Sequence, residues 1–248
     1  MSEFDPPTWY RVNHTADYLW VELLDGRHRV LSSAVLNGGL VEAEHVLNFK
    51  VPRHFGGDES PADTLRGVAS RLAGGDSDSN GDSGQWVGMM TAASMDSMRY
   101  RREVVQGVEL AVLVTCGLDN ARRVGDAAEH RAMLTAAEPH GVGSIEIGTI
   151  NTILLCSVAL STSAMVEAVQ MITEAKTAAL VTAGISSPVS GALATGTGTD
   201  AVVVVSGRGQ ERVHYCGKHV LFGEVLGRIT FNAVLDSIAW YRSPGQSG

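Results

Sequence analysis

Lysine is scarce in this 248-residue chain. Lys50, Lys176 and Lys218 are the only three among 19 basic residues, and arginine supplies the rest. Where arginine is the default cation, a lysine marks a place suited to a compact point charge rather than a planar fork. Cysteine is just as sparse: Cys116, Cys156 and Cys216 form no Cys-x-x-Cys pair, which excludes a disulfide framework and a zinc knuckle. No apolar run reaches the roughly 18 residues that a membrane-spanning helix requires. The start, Met1 to Pro7, lacks the basic and apolar regions of a secretory signal, so the expected location is the cytoplasm. A basic face is missing as well. A net charge of −8 disfavours nucleic acid as a partner, because binding phosphates calls for clustered cations.

Several catalytic signatures are also absent. There is no Gly-x-Ser-x-Gly elbow, and Val189-Ser190-Gly191 matches it only superficially. There is no His-Glu-x-x-His, and His219 and Glu224 are five residues apart, so no metal site follows from spacing. A site drawn from Asp200, His219 and Glu224 would follow no known pattern, and metal dependence stays open. The residues call for no cofactor. Gly74 to Gly84 carries acids at alternate positions, as calcium loops do, but lacks the closing glutamate; residues 74–85 read as a flexible, solvated acidic insert.

What remains is a mixed pattern of α and β. Residues 1–17 are polar with prolines and read as a loosely attached lead-in. Tyr18 to Leu24 and His28 to Leu31 flank Asp25-Gly26, the preferred pair for a two-residue hairpin turn. Val41 to Val51 is ambiguous between helix and strand. Ser60-Pro61-Ala62-Asp63 opens a helix running to about Leu72. Trp86 to Thr91 is a strand, and Met98 to Val105 with Val108 to Thr115 form a second hairpin around Gln106-Gly107. Ser144 to Ile150 and Ile153 to Val158 read as two strands around Asn151-Thr152. Ser161 or Ser163 caps a long helix through Leu180, and another helix spans about Val220 to Trp240. Between them lie a strand at Ala201 to Ser206 and a short one at Val213 to Cys216. Regular β-α-β alternation is missing. The expected fold is therefore α+β: one layered domain over 18–242 of mainly antiparallel and mixed sheet packed with a few long helices, with a tail at 243–248.

One run stands out. Thr195-Gly196-Thr197-Gly198-Thr199-Asp200 alternates hydroxyls with glycines and ends in an acid where a strand begins. Glycine lets backbone approach a ligand closely, and the threonines concentrate hydroxyls and N–H donors. The run precedes its strand and lacks a Gly-Lys-Ser/Thr ending, so it is neither a Rossmann fingerprint nor a P-loop. On the helix before it, Glu174 and Lys176 stand about 200° apart and cannot pair with each other; either one facing inward is a general-base candidate, and both facing solvent is the competing reading. Gly217-Lys218-His219 opens the last helix and assembles donors suited to an anion; His219 is the best single candidate for a general base. Bonding backbone as a cap is its competing role.

Ser33 to Gly39, Met90 to Ala93, Val114 to Asp126, Gly148 to Leu155, Thr173 to Leu180, Ala194 to Ala201 and Gly217 to His219 occur in an order that resembles the adenosylcobinamide amidohydrolases of cobalamin salvage, the CbiZ family. The resemblance covers roughly residues 30 to 235. It implies hydrolysis of the amide joining aminopropanol to a corrin side chain, giving adenosylcobyric acid and 1-amino-2-propanol. Within that implied activity, His219 or Glu174 would activate a nucleophile, either water or a hydroxyl of Thr195, Thr197 or Thr199. Asp200 would orient His219. Backbone N–H groups of Gly196 to Gly198, together with Lys218, would hold the oxyanion. Asn37, Gly38, Thr91, Asn120, Arg122, Asn151 and Lys176 complete the expected substrate contacts, with Asn37, Asn120 and Asn151 reading peripheral amides in a wide apolar cleft. The expected partner is a corrinoid, with neither nucleic acid nor membrane, and homo-oligomerisation is left open. A corrinoid carrier without hydrolysis, or an amidohydrolase for a smaller amide, is the alternative.

Overall fold

Two β-sheets lie face to face between helical layers in the computed structural model, which describes residues 7–52, 55, 60–74, 85–129, 133 and 148–243. In chain order the first half supplies β1 (Tyr10–His14), β2 (Tyr18–Leu23), β3 (His28–Ser32), β4 (Gly39–Ala43), β5 (His45–Lys50), α1 (Pro61–Leu72), β6 (Trp86–Thr91), β7 (Arg99–Val105), β8 (Val108–Cys116) and β9 (Ala121–Arg122). The second supplies β10 (Ile150–Cys156), β11 (Ala159–Leu160), α2 (Thr162–Thr182), β12 (Gly196–Thr197), β13 (Ala201–Val205), β14 (Arg212–Val213) and α3 (Leu221–Tyr241).

The smaller sheet has the order β1-β2-β5-β6 and the larger β4-β3-β13-β10-β8-β7. Each is antiparallel apart from one parallel pair, β5 with β6 and β10 with β13. Parallel neighbours need a crossover, and each pair has a helix in its connection: α1 for the first and α2 for the second. The period of two along β8 and β10 sorts the core into layers. Leu110, Val112, Val114, Ile150 and Leu154 face α2 and α3, while Ala111, Leu113, Ile153 and Leu155 face the smaller sheet. On that sheet's outer side, Leu65, Val68 and Ala69 of α1 cover Leu47 and Trp86. The order is helix, sheet, sheet, helices, an α+β architecture as expected.

The three helices and the β7–β8 hairpin follow the sequence pattern closely, and Ser161 caps α2 by accepting from the Ala164 N–H at 3.1 Å. Three expectations fail. Asp25-Gly26 does turn the chain, but β2 and β3 do not pair: they enter different sheets. Asn151-Thr152 is no turn either. One strand, β10, runs straight through it, while Ser144 to Glu146 and Ile147 fall outside the described residues. The lead-in contains a real edge strand, β1, with Tyr10 buried between the sheets. The ambiguous stretch 41–51 is all extended, closing β4 and forming β5, and the strand expected at Val213 to Cys216 shortens to β14. The acidic insert lies outside the described residues apart from Gly74 and Gln85. Among the described residues no helix is long and apolar enough to cross a membrane.

Candidate active site

The parallel register of β10 and β13 sets Asn151 opposite Ala201. The residues just before them, Ile150 and Asp200, therefore meet at the sheet's end, and the Asp200 carboxylate takes the Ile150 N–H at 2.9 Å on Oδ1. The short pairing of β12 with β9 brings the Thr-Gly run back over this end, with Thr197 opposite Ala121 and Gly196 opposite Arg122. Thr197 donates its N–H to Asp200 Oδ2 at 3.0 Å and its hydroxyl lies against Asp200 Oδ1.

The fourth donor is Lys176. Along α2 the buried positions Met165, Ala168, Ile172, Ala175, Ala179 and Leu180 trace one stripe, and Lys176 sits within it, four residues after Ile172 and four before Leu180. Its Nζ pairs with Asp200 Oδ2, and both side chains are about nine-tenths buried. Gly196 makes this possible: a Cβ there would sit 2.5 Å from Asp200 Oδ2 and 3.2 Å from Lys176 Nζ. Glu174, on the opposite side of the helix, is exposed.

These contacts distinguish the three threonines. Thr195 Oγ1 accepts the Val124 N–H at 2.8 Å, and its carbonyl accepts the Thr177 hydroxyl at 3.0 Å. Thr199 is tied to Thr149 Oγ1 at 2.8 Å and to the Gly148 carbonyl at 3.2 Å. Only the Thr197 hydroxyl meets a carboxylate, with the Gly148 carbonyl a second acceptor at 3.1 Å. Thr197, Gly198, Thr199, Asn120, Arg122 and Arg123 line a cleft of about 390 Å³ beside this cluster. Arg122 is held to Glu129 and to the Ala127 carbonyl. Hydroxyls of Ser187 first, then Ser190, and the Arg123 N–H hold the Asp126 carboxyl below the usual carboxylate range at the same wall.

Other expected site residues lie elsewhere. Lys218 and Glu174 form an exposed ion pair with each other. His219 is exposed just before α3, whose first residues Leu221, Phe222 and Val225 pack beside Val105 and Gln106 at the β7–β8 turn. The other end of α3 is the one near the cleft, where the Tyr241 hydroxyl donates to Asp119 at 2.6 Å. The expected Asp200–His219 pair is therefore not formed, and Lys176 occupies that partner position. Lys218 likewise contributes nothing to the cluster around Asp200. Asn37 is half-buried in the turn after β3, donating to the Trp86 carbonyl at 2.8 Å, with exposed Gly38 next to it. Thr91 is buried and caps the Ala93 N–H at 3.0 Å.

Asn151 points between the two sheets. Its amide donates to Asn48 Oδ1 at 2.8 Å and to the Met90 carbonyl at 2.9 Å, and accepts from the Ala201 N–H at 3.1 Å. It is buried, so it joins the sheets rather than reading a substrate amide. Asn151→Ala is expected to lower stability by about 1–3 kcal/mol for each buried group it strands. A shift of the urea midpoint at unchanged slope is the measurement, and an unshifted midpoint contradicts this role.

Sequence reasoning missed the contribution of Gly148, Thr149 and Ile150, which supply a carbonyl, a hydroxyl and an N–H to the cluster from 50 residues away. Their Gly-Thr pair at a strand entry was the available signal. Cys116 is fully buried; burial above all, then the Asp200 charge, pushes its thiol far up, against the opposing effect of Lys176, so it is no thiolate nucleophile. Among the described residues no three His, Cys, Asp or Glu side chains gather as a metal site.

An alcohol, a carboxylate and a cation thus stand in hydrogen-bonded sequence beside a cleft. The chain belongs to the adenosylcobinamide amidohydrolase family, CbiZ, whose model matches residues 4–245. It is 27% identical over 201 residues to the adenosylcobinamide amidohydrolase of Methanosarcina mazei, covering 77% of this chain and 81% of that one. It is 35% identical over 157 residues to an uncharacterized protein of Methanocaldococcus jannaschii, covering 60% of this chain and 61% of that relative. A solved protein from Pyrococcus horikoshii aligns with a TM-score of 0.45 at 9% identity, over 92% of this chain and 78% of that one.

Proposed function

We propose that the chain hydrolyses the amide linking aminopropanol to the corrin side chain of adenosylcobinamide, releasing adenosylcobyric acid and 1-amino-2-propanol, and that Thr197 is the nucleophile. The observation that carries this reading is the contact of the Thr197 hydroxyl with Asp200 at the cleft wall, in a chain of this family.

The Thr197 oxygen attacks the scissile carbonyl carbon as its proton passes to Asp200 Oδ1. The tetrahedral intermediate collapses, the C–N bond breaks, and the departing amine takes that proton. A threonyl ester of the corrin acid remains. Water then attacks the ester carbon, giving its proton to Asp200, and the returning proton restores the Thr197 hydroxyl as the acid leaves. Lys176 stays paired with Asp200 throughout and fixes the carboxylate's orientation.

The cleft of about 390 Å³ beside Thr197 has room for a side-chain amide. A larger cavity of about 630 Å³ lies along the edge strands, lined by Tyr10, Val12, His14, Met98 and Tyr100. Its two phenols bond each other at 2.6 Å, and burial pushes both upward, which leaves them neutral and poor nucleophiles. The reading puts the chemistry in the smaller cleft because the contact of the Thr197 hydroxyl with Asp200 lies at its wall.

Incubation of the pure protein with adenosylcobinamide, followed by mass spectrometry, is the test. One water added per molecule and one aminopropanol released are expected, and the scheme predicts the same turnover in a chelator. Corrinoid retention without free aminopropanol would instead identify a carrier.

A further inference from the structure

Asn120 is 92% removed from solvent, yet its Oδ1 is buried with no hydrogen-bond partner. An unpartnered buried amide oxygen costs stability, and such a group needs a reason to persist. The antiparallel β9–β12 pairing, continued by one residue, sets Asn120 opposite Gly198, and both line the cleft. Two glycines make room for its carboxamide. A Cβ at Gly198 would lie 3.1 Å from Asn120 Nδ2, and one at Gly148 would lie 2.8 Å from Oδ1. The amide nitrogen therefore lies on the Gly198 side, at the lining of the cleft, and the oxygen on the Gly148 side.

We propose that Asn120 is a catalytic residue whose Nδ2 donates to the oxygen of the scissile carbonyl as it becomes an oxyanion. The proposal rests on the hydrolytic reading of this cleft and replaces the expected role for Asn120 in reading peripheral amides. A donor held in place before substrate arrives needs no reorganisation in the transition state, and removing one such donor costs about 10²–10³-fold in kcat. A peripheral contact would act equally on ground and transition states and would move KM instead.

The test compares wild type, Asn120→Ala and Asn120→Asp on adenosylcobinamide and in thermal unfolding. The aspartate keeps the shape and the acceptor while removing the donor. Both variants are expected to lose about 10²–10³-fold in kcat with KM within about threefold. The alanine variant should unfold at or above the wild-type temperature, because it removes an unsatisfied group. Three results would overturn the proposal: full kcat in either variant, a loss confined to KM, or a Tm lowered by several degrees in the alanine variant, which marks a structural amide. Wild-type protein that fails to hydrolyse adenosylcobinamide would overturn the functional reading itself, whereas active wild type with an active Asn120→Asp overturns only this assignment.

Discussion

Replacing Asp200 with alanine is expected to abolish turnover and to destabilise the protein by about 3–5 kcal/mol. The size of the stability loss follows from what the carboxylate holds. It accepts from Lys176, from the Thr197 N–H and hydroxyl, and from the Ile150 N–H, joining α2, β10 and the Thr-Gly run. Removing it leaves the Lys176 ammonium buried without its partner, which is the costly half of a broken ion pair. For a chain of this size each kcal/mol lowers Tm by about 2–4 °C, so a fall on the order of 10 °C is anticipated by calorimetry. Replacing Lys176 with methionine at the same time should recover much of that stability, because no buried charge is then stranded. It should recover no activity. A single Asp200→Ala variant that melts with wild type would show that the pair is not the structural hub described here.

The second large effect is at Thr197. Thr197→Ala is expected to lose about 10⁴-fold or more in kcat, since removing the nucleophile of a cooperating set costs as much as removing the set. Thr197→Ser keeps the hydroxyl and should retain turnover within about tenfold, its loss reflecting only freer rotation about χ1. Thr195 and Thr199 hold backbone and neighbouring hydroxyls, so alanine at either is expected to act on stability and KM more than on kcat. Steady-state kinetics of the three alanine variants tests the ranking. Equal losses at all three would mean that the run acts as a scaffold and water is the nucleophile.

Much of the fold was legible because its signals are local. The Ser60-Pro61 start of α1, the Ser161 cap of α2 and the apolar stripes of α2 and α3 each sit in a window of a few turns. Asp25-Gly26 shows why the sheets were harder. An Asp-Gly pair encodes a reversal of the chain, but β2 pairs with β1 and β5 and β3 with β4 and β13, so the two strands flanking the turn pair with other strands and not with each other. Asn151 misled in a related way: a polar residue inside an apolar run suggests a turn, whereas here it bridges two sheets through Asn48.

The site was legible in part. The Thr-Gly run and Asp200 stood out from composition, and the phase of α2 set Glu174 and Lys176 on different faces of the helix. Which cation meets Asp200 was not. Dipole reasoning favoured His219 at a helix start, but only the packing of α2 across the ends of β10 and β13 places Lys176 there. The position of Lys176 midway between Ile172 and Leu180 in the buried stripe was the signal that could have decided it.

A crystal structure of the Thr197→Ala protein with adenosylcobinamide bound puts the account to its most direct test. The scissile carbonyl carbon should lie about 3–3.5 Å from where the missing hydroxyl would be, with its oxygen turned toward Asn120. A side-chain amide lodged elsewhere, such as beside Lys218 and His219 at the start of α3, would contradict it.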